Sequence, residues 1–281
     1  MKLEEKYYIA TLGNIESLGS KSIAQLVKYF GSAKTAWNSD AVDLWNSGVR
    51  KNTLETLITW RKKYPDAPEK LISYCDKHKI NLCSIADEDY PPILKEIDSP
   101  PMFFYYRGSL EPLAERIGIV GSRDNTDYGQ SMALELGEEL AAAGLTVVSG
   151  VARGIDTFAH QGALKTGRTV AVLGCGINYF SSSDNKKFLE QITERGVVLS
   201  EFPPQMKPNK GTFPQRNRII AGLCKGIIVV EAKPKSGTLC TANYASKYNR
   251  DCFCVEQNID KSMFVCATMI NNAQDVLKKY H

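Results

Sequence analysis

Histidine is scarce in this chain, with three in 281 residues. Its eight cysteines are Cys75, Cys83, Cys175, Cys224, Cys240, Cys252, Cys254 and Cys266, and none forms a C-x-x-C pair. That ligand set argues against a structural zinc, and the apolar runs around several of the cysteines predict buried, reduced thiols. No run of about 18 apolar residues is present to cross a membrane, and the opening MKLEEKYY lacks the apolar core of a signal peptide. The expected setting is a reducing cytoplasm, with no membrane partner. Two glycine motifs are also missing. The first glycine-rich turn reads G-I-V-G-S-R rather than G-x-G-x-x-G, with no acidic residue placed for a ribose, and no G-x-x-x-x-G-K-[ST] loop occurs. NAD chemistry and ATP hydrolysis both lose support. No serine–base pair, positioned carboxylate pair or metal cluster stands out, so neither catalysis nor a cofactor is expected.

One further absence is local. No acidic residue lies between Glu201 and Glu231, yet Lys207, Lys210, Arg216, Arg218 and Lys225 do. The stretch KPNKGTFPQRNRIIAGL, residues 207–223, reads as a loop running into a helix. Pro208, Asn209 and Gly211 break regular structure. Pro214 suits the first helical position, and Ile219, Ile220 and Leu223 recur at helical spacing. Phe213 sits among the cations. Cations interleaved with an aromatic at a helix N-terminus suit a phosphate backbone with a base stacked beside it. The competing reading is a solvated basic loop with Phe213 in the core. The net charge of +4 is mild, so the clustering carries the nucleic-acid reading.

Length and patterning predict two domains. Residues 1–66 read as a small helical domain containing all three tryptophans, resembling a sterile-alpha-motif-like or helix-hairpin-helix unit. Residues 67–281 read differently. Short β-branched runs at Ile117–Val120, Leu145–Val148, Val170–Leu173, Val197–Leu199, Ile227–Val230 and Cys252–Val255 alternate with helical patterns. This alternation predicts βαβ units and a parallel sheet buried on both faces, an α/β fold of extended Rossmann-like type.

Open parallel sheets bind ligands beyond the carboxyl ends of their strands. The successive strand ends carry Gly121-Ser122-Arg123, Ser149-Gly150-Val151-Ala152-Arg153-Gly154, Gly174-Cys175-Gly176, the basic loop, and Lys235-Ser236-Gly237-Thr238. Glycines admit close backbone approach to an anion and helix N-termini add donors, so the five ends together predict a phosphate-binding rim. The bland alternative is that these glycines only make tight turns. Asp156 is expected to cap backbone amides, and His160 to be a polar residue near the surface. Glu231 is expected either as an acid or base, or as a strand-end carboxylate holding Arg218 or a backbone turn.

These stretches resemble the DNA-processing protein A family, also called Smf. The resemblance rests on IGIVGSR, LTVVSGVARGIDTFAHQGAL, FPQRNRIIAGLCKGIIVVEA and SGTLCTA, with YPPILKEIDSPPMFFYYRG upstream, from about Asp87 to Val255. It implies an extended Rossmann-like fold, single-stranded DNA binding, a homodimer, and loading of the recombinase RecA onto DNA during natural transformation, without catalysis. Carried over by motif, Arg123 and Lys210 contact phosphates and Phe213 stacks on a base. Gly121, Ser122, Ser149, Gly150, Ser236, Gly237 and Thr238 fall on the phosphate rim, and Arg216 and Arg218 join the cationic set. Arg153 and Asn217 fit the pattern either as DNA contacts or as braces of the turns. The segment VEQNIDKSMFVCATMINNAQDVL departs from the family's Pro-Gly turn and Gly-Asn-x-Leu-Ile segment, and no winged-helix domain is expected after it. The alternatives are a phosphoribohydrolase-like nucleotide-processing enzyme or a nucleotide sensor on a related fold. The former carries P-G-G-x-G-T where this chain reads P-K-S-G-T.

Overall fold

Burial on both faces turns the β-branched runs into the strands of a parallel sheet. The computed structural model describes residues 3–110, 115–234, 236–258 and 267–280. The chain divides into two compact units, one of residues 1–90 and 101–105, the other of residues 91–100 and 106–281. Helix Ala67–Lys77 and strand Asn81–Ser84 thus group with the N-terminal helices, so the division falls near residue 90 rather than at 66.

The first unit contains α1 (Leu3–Gly13), α2 (Ser20–Phe30), α3 (Ala33–Asn38), α4 (Ala41–Asn46), α5 (Lys51–Lys63), α6 (Ala67–Lys77) and β1 (Asn81–Ser84). Leu12, Ile23, Leu26, Leu44, Leu54 and Leu57 are fully or almost fully buried. Trp37 packs edge-on against Trp60, whereas Trp45 stays exposed. Ser32 and Asp40 cap α3 and α4 by accepting the amides of Thr35 and Asp43. Strand β2 (Phe103–Gly108) runs from the first unit into the second, and α7 is a single turn, Pro92–Lys95.

The second unit alternates β3 (Arg116–Val120), α8 (Asp127–Ala142), β4 (Thr146–Ser149), α9 (Ile155–Thr166), β5 (Thr169–Val172), α10 (Ser183–Arg195), β6 (Val197–Ser200), α11 (Thr212–Leu223), β7 (Gly226–Val229), α12 (Gly237–Lys247), β8 (Asp251–Val255), β9 (Thr268–Ile270) and α13 (Ala273–Tyr280). Strands β3 to β9 lie in the order β6-β5-β4-β3-β7-β8-β9, paired in parallel. This is the expected extended Rossmann-like sheet, and each expected strand falls within about a residue of its run. The chain proceeds outward from β3 through β4, β5 and β6, then crosses to β7 on the other side. Loops after β3, β4 and β5 therefore share one end of the sheet. Ile117, Val147, Ile228 and Phe253 pack with Leu136 and Leu140 of α8 and Ala159 of α9 in the core beneath that end. Among the described residues no helix is long and apolar enough to cross a membrane.

Candidate nucleic-acid interface

The loops after β3, β4 and β5, with the first turns of α10 and α11, enclose a cleft of about 400 Å³. Arg123, Arg153 and Phe213 stand among its lining, together with Gly150, Gly174 and Tyr179. Arg123 is exposed, and its guanidinium lies 5.1 Å from the centre of the Phe213 ring. That is cation–π range. The other edge of the half-buried Phe213 approaches Gly174, where a Cβ would fall 2.9 Å from the ring. Phe213 lies in the first turn of α11 rather than in the preceding loop, because the helix begins at Thr212. Pro214 accordingly sits two residues inside the helix, still among amides with no intrahelical partner.

The β3 and β4 loops are locked together by main-chain contacts. Ile155 donates its amide to the Ser122 carbonyl at 3.2 Å, and the Ser122 hydroxyl bonds the backbone of Asp124. Gly154 has φ +89°, and a Cβ there would meet the Ser122 carbonyl at 2.4 Å, so both conformation and space require glycine. Val151, a β-branched residue, is held at φ +55° on the wall of the cleft. Such strain persists only where the surroundings over-determine it.

A buried polar set beneath the loops does this. Asp156 accepts the amides of Gly150 at 3.1 Å and Ala152 at 3.4 Å. Arg216 donates to the carbonyls of Gly150, at 2.6 Å, and Val172, and through Nε to Asn217 at 3.0 Å. Asn217 in turn donates to the Gly237 carbonyl at 3.2 Å. Burial raises the Asp156 carboxyl above its usual range, opposed by the Arg216 charge. Burial likewise lowers the Arg216 pKa, and the guanidinium remains charged. His160 is wholly buried, not a surface residue, with Nδ1 2.6 Å from Thr169 Oγ1. Thr169 already donates its one hydroxyl proton to the Val147 carbonyl, so Nδ1 carries the proton of a neutral ring. Burial, then the Arg216 charge, lowers the His160 pKa to about 3.

The remaining expected residues separate into three groups. Lys207 and Lys210 are exposed on the loop before α11 and form no ion pair among the described residues. That loop is shaped by Asn209, whose side chain accepts the amides of Gly211 and Thr212. Arg153 is exposed and pairs with Asp124. Arg216, Asn217 and Ser149 instead face inward. Arg216 is 4% exposed, and the fully buried Ser149 gives its hydroxyl proton to the Ile119 carbonyl at 2.6 Å. Their polar groups turn to the Ile119, Gly150, Val172 and Gly237 carbonyls and to one another, and none of the three lines the cleft. Arg218 is largely buried and pairs with both oxygens of Glu201. Ser236, Gly237 and Thr238 open α12, where the Ser236 hydroxyl is buried without a partner among the described residues, but they do not line the cleft. Glu231 holds a backbone turn by accepting the Thr126 amide and hydroxyl, not Arg218. Lys235 and Cys266 lie outside the described residues. Among the described residues no three His, Cys, Asp or Glu side chains group as a metal site.

Tyr179, Ser181 and Asn185 also line the cleft, a contribution the sequence reading missed. The signal lay in NYFSSSDN, an aromatic followed by a serine cap, in which Ser182 accepts the Asn185 amide.

A parallel α/β sheet bearing a cationic, aromatic-walled cleft at its strand ends defines the class of Rossmann-like folds, which take ligands at that end. Within that class the chain belongs to the family of DNA recombination-mediator protein A, whose family model matches residues 81–280. It is 36% identical over 282 residues to protein Smf of Synechocystis sp., spanning 98% of this chain and 70% of that protein. It is 39% identical over 195 residues to DNA processing protein DprA of Bacillus subtilis, 68% of this chain and 65% of that one. The X-ray structure of DprA from Streptococcus pneumoniae superposes with a TM-score of 0.81 at 33% identity, covering 98% of this chain and 97% of that chain. A Helicobacter pylori DprA structure, described for its unique single-stranded DNA binding mode, gives 0.64 at 28% identity over 72% of this chain and 98% of that one.

Proposed function

We propose that the protein binds single-stranded DNA through this cleft and its cationic mouth, and acts without catalysis as a mediator that delivers the strand to RecA. The observation that carries this is the pairing of the Arg123 guanidinium with the Phe213 ring at 5.1 Å, with Lys210 exposed three residues before Phe213 in the chain. A cation and an aromatic face held side by side suit a phosphate and its neighbouring base. Arg123, Lys210 and Arg153 serve as phosphate contacts, with Ser122 and the Gly121 backbone shaping the β3 loop. Arg216, Asn217, Ser149 and Gly150 hold the geometry from below. Family membership supports the mediator role, and the expected working form is a cytoplasmic homodimer. Gel-shift titration of single-stranded against double-stranded oligonucleotides over a salt series tests the reading. Single strands should bind preferentially with little sequence preference across the whole site, and affinity should fall steeply with salt as bound phosphates release counterions. An affinity indifferent to salt would overturn it. RecA delivery is tested by RecA filament growth on single strands already coated by a competing binding protein.

A further inference from the structure

The cleft behind the cationic mouth is more apolar than a phosphate backbone alone calls for. Its lining includes the buried Leu173 and Leu189, and the half-buried Phe213 and Tyr179 rings both belong to it. A volume of about 400 Å³ falls within the range of small-ligand pockets. One polar side chain gives it direction. The Asn185 carbonyl oxygen accepts the Ser181 amide at 3.4 Å, which leaves the Asn185 NH₂ group as a pair of donors with no partner among the described residues. An apolar lining, two aromatic rings, an amide donor and arginines at the mouth together match one nucleotide: a flat heterocycle inside, its phosphate outside.

Resting on the single-strand reading above, we propose that the cleft is a seat for one extruded base, with Tyr179 as a second contacting ring beside Phe213 and Asn185 donating to an acceptor atom on the base edge. The seat makes one nucleotide of the bound strand differ from its neighbours. It thereby gives binding a dependence on the presence of a base that phosphate contacts cannot supply.

The test compares a thymidine 20-mer with an abasic deoxyribose-phosphate 20-mer by fluorescence anisotropy, using the full chain. Base–aromatic contact contributes on the order of 5- to 150-fold in affinity, so wild type should prefer the thymidine strand within that range. Tyr179→Ala and Asn185→Ala should each shrink the preference several-fold, with thymidine-strand affinity falling more than abasic-strand affinity. In the wild type, the thymidine strand and not the abasic one should slow alkylation of Cys175, the partly exposed thiol in the cleft wall. This readout does not depend on how the variants fold. Equal wild-type affinity for both strands overturns the base seat, and base stacking on Phe213 with it, and leaves only phosphate-mediated single-strand binding intact. A preference untouched by both variants, or alkylation unslowed by bound thymidine strand, also overturns it. Failure of the thymidine strand to bind defeats the underlying single-strand reading instead.

Discussion

Truncating Phe213 to alanine separates binding from packing more cleanly than any other change in the cleft. The ring is half-buried, with Gly174 on one side and the Arg123 guanidinium 5.1 Å from its centre. Removing a fully buried phenylalanine costs about 3–5 kcal/mol, so half that burial corresponds to about 1.5–2.5 kcal/mol. For a unit of roughly 200 residues this lowers the melting temperature by about 3–10 °C. Lost stacking on a base adds about 1–3 kcal/mol to the binding free energy, or about 5- to 150-fold in Kd. Arg123 also loses a cation–π contact of about 0.5–1 kcal/mol, yet its charge remains. The dependence of Kd on salt should therefore keep its wild-type slope, since no phosphate contact is deleted. Anisotropy titrations at several salt concentrations, alongside thermal melts, measure all three quantities. Normal DNA affinity together with a melting temperature lowered by well over 10 °C would refute the reasoning and return Phe213 to the core.

Lys210→Ala should behave oppositely, leaving the melt unchanged because the side chain is exposed and reducing the salt slope by about one; an unchanged slope would place Lys210 off the DNA path. Arg216→Ala should lower the unfolding free energy in urea by about 3–5 kcal/mol, since it leaves Asp156 buried without its countercharge; a loss under 1 kcal/mol would show that the guanidinium is not structural. His160 has a folded-state pKa of about 3 against an ordinary 6.5, so its contribution is complete above pH 6.5 and is lost as pH falls towards 3. Between pH 6.5 and 5 the loss should be about 2 kcal/mol, seen as the difference between wild type and His160→Asn, which can still donate to Thr169; equal pH profiles for the two would contradict the burial.

The strands were legible because a sheet buried on both faces needs uninterrupted β-branched runs, and those runs mark themselves. Helix starts were less so. Helix α8 begins at Asp127 because Thr126 caps it and Glu231, more than a hundred residues away in sequence, fixes Thr126, a tie that no local pattern displays. Strand β9, paired with β8 at the end of the sheet, lies in the segment that departs from the family pattern, where three residues carry too little periodicity to read. Arg216 shows how a charge misleads. Within a run of cations it reads as solvated, yet Arg216, Ile219, Ile220 and Leu223 stand at i, i+3, i+4 and i+7, the spacing of one helical face. His160 follows the same logic, sharing the stripe of Asp156, Ala159 and Ala163, all of them buried. Spacing placed both side chains inside; their polarity disguised it.

The buried pair also explains what an apolar core could not do here. Stability alone gives little reason to bury Arg216 and Asp156, since well-packed apolar residues of similar volume often hold a fold equally well. What apolar residues lack is hydrogen-bonding capacity toward the main chain. Asp156 takes the Gly150 amide proton and Arg216 donates to the Gly150 carbonyl, so the residue after β4 is gripped from both ends. The next residue is Val151, whose positive φ needs that grip and which forms part of the cleft wall. The double variant Arg216→Met with Asp156→Leu removes both charges together and leaves neither stranded. Its loss of stability in urea should stay below the sum of the two single-variant losses, because no charge is stranded, although the Gly150 and Ala152 amides and the Gly150 and Val172 carbonyls lose their partners. Its affinity for single strands should nonetheless fall, because Val151 relaxes and the cleft wall loses its shape. A double variant as stable as wild type that also binds DNA as tightly would show that the buried pair does not set the geometry of the cleft.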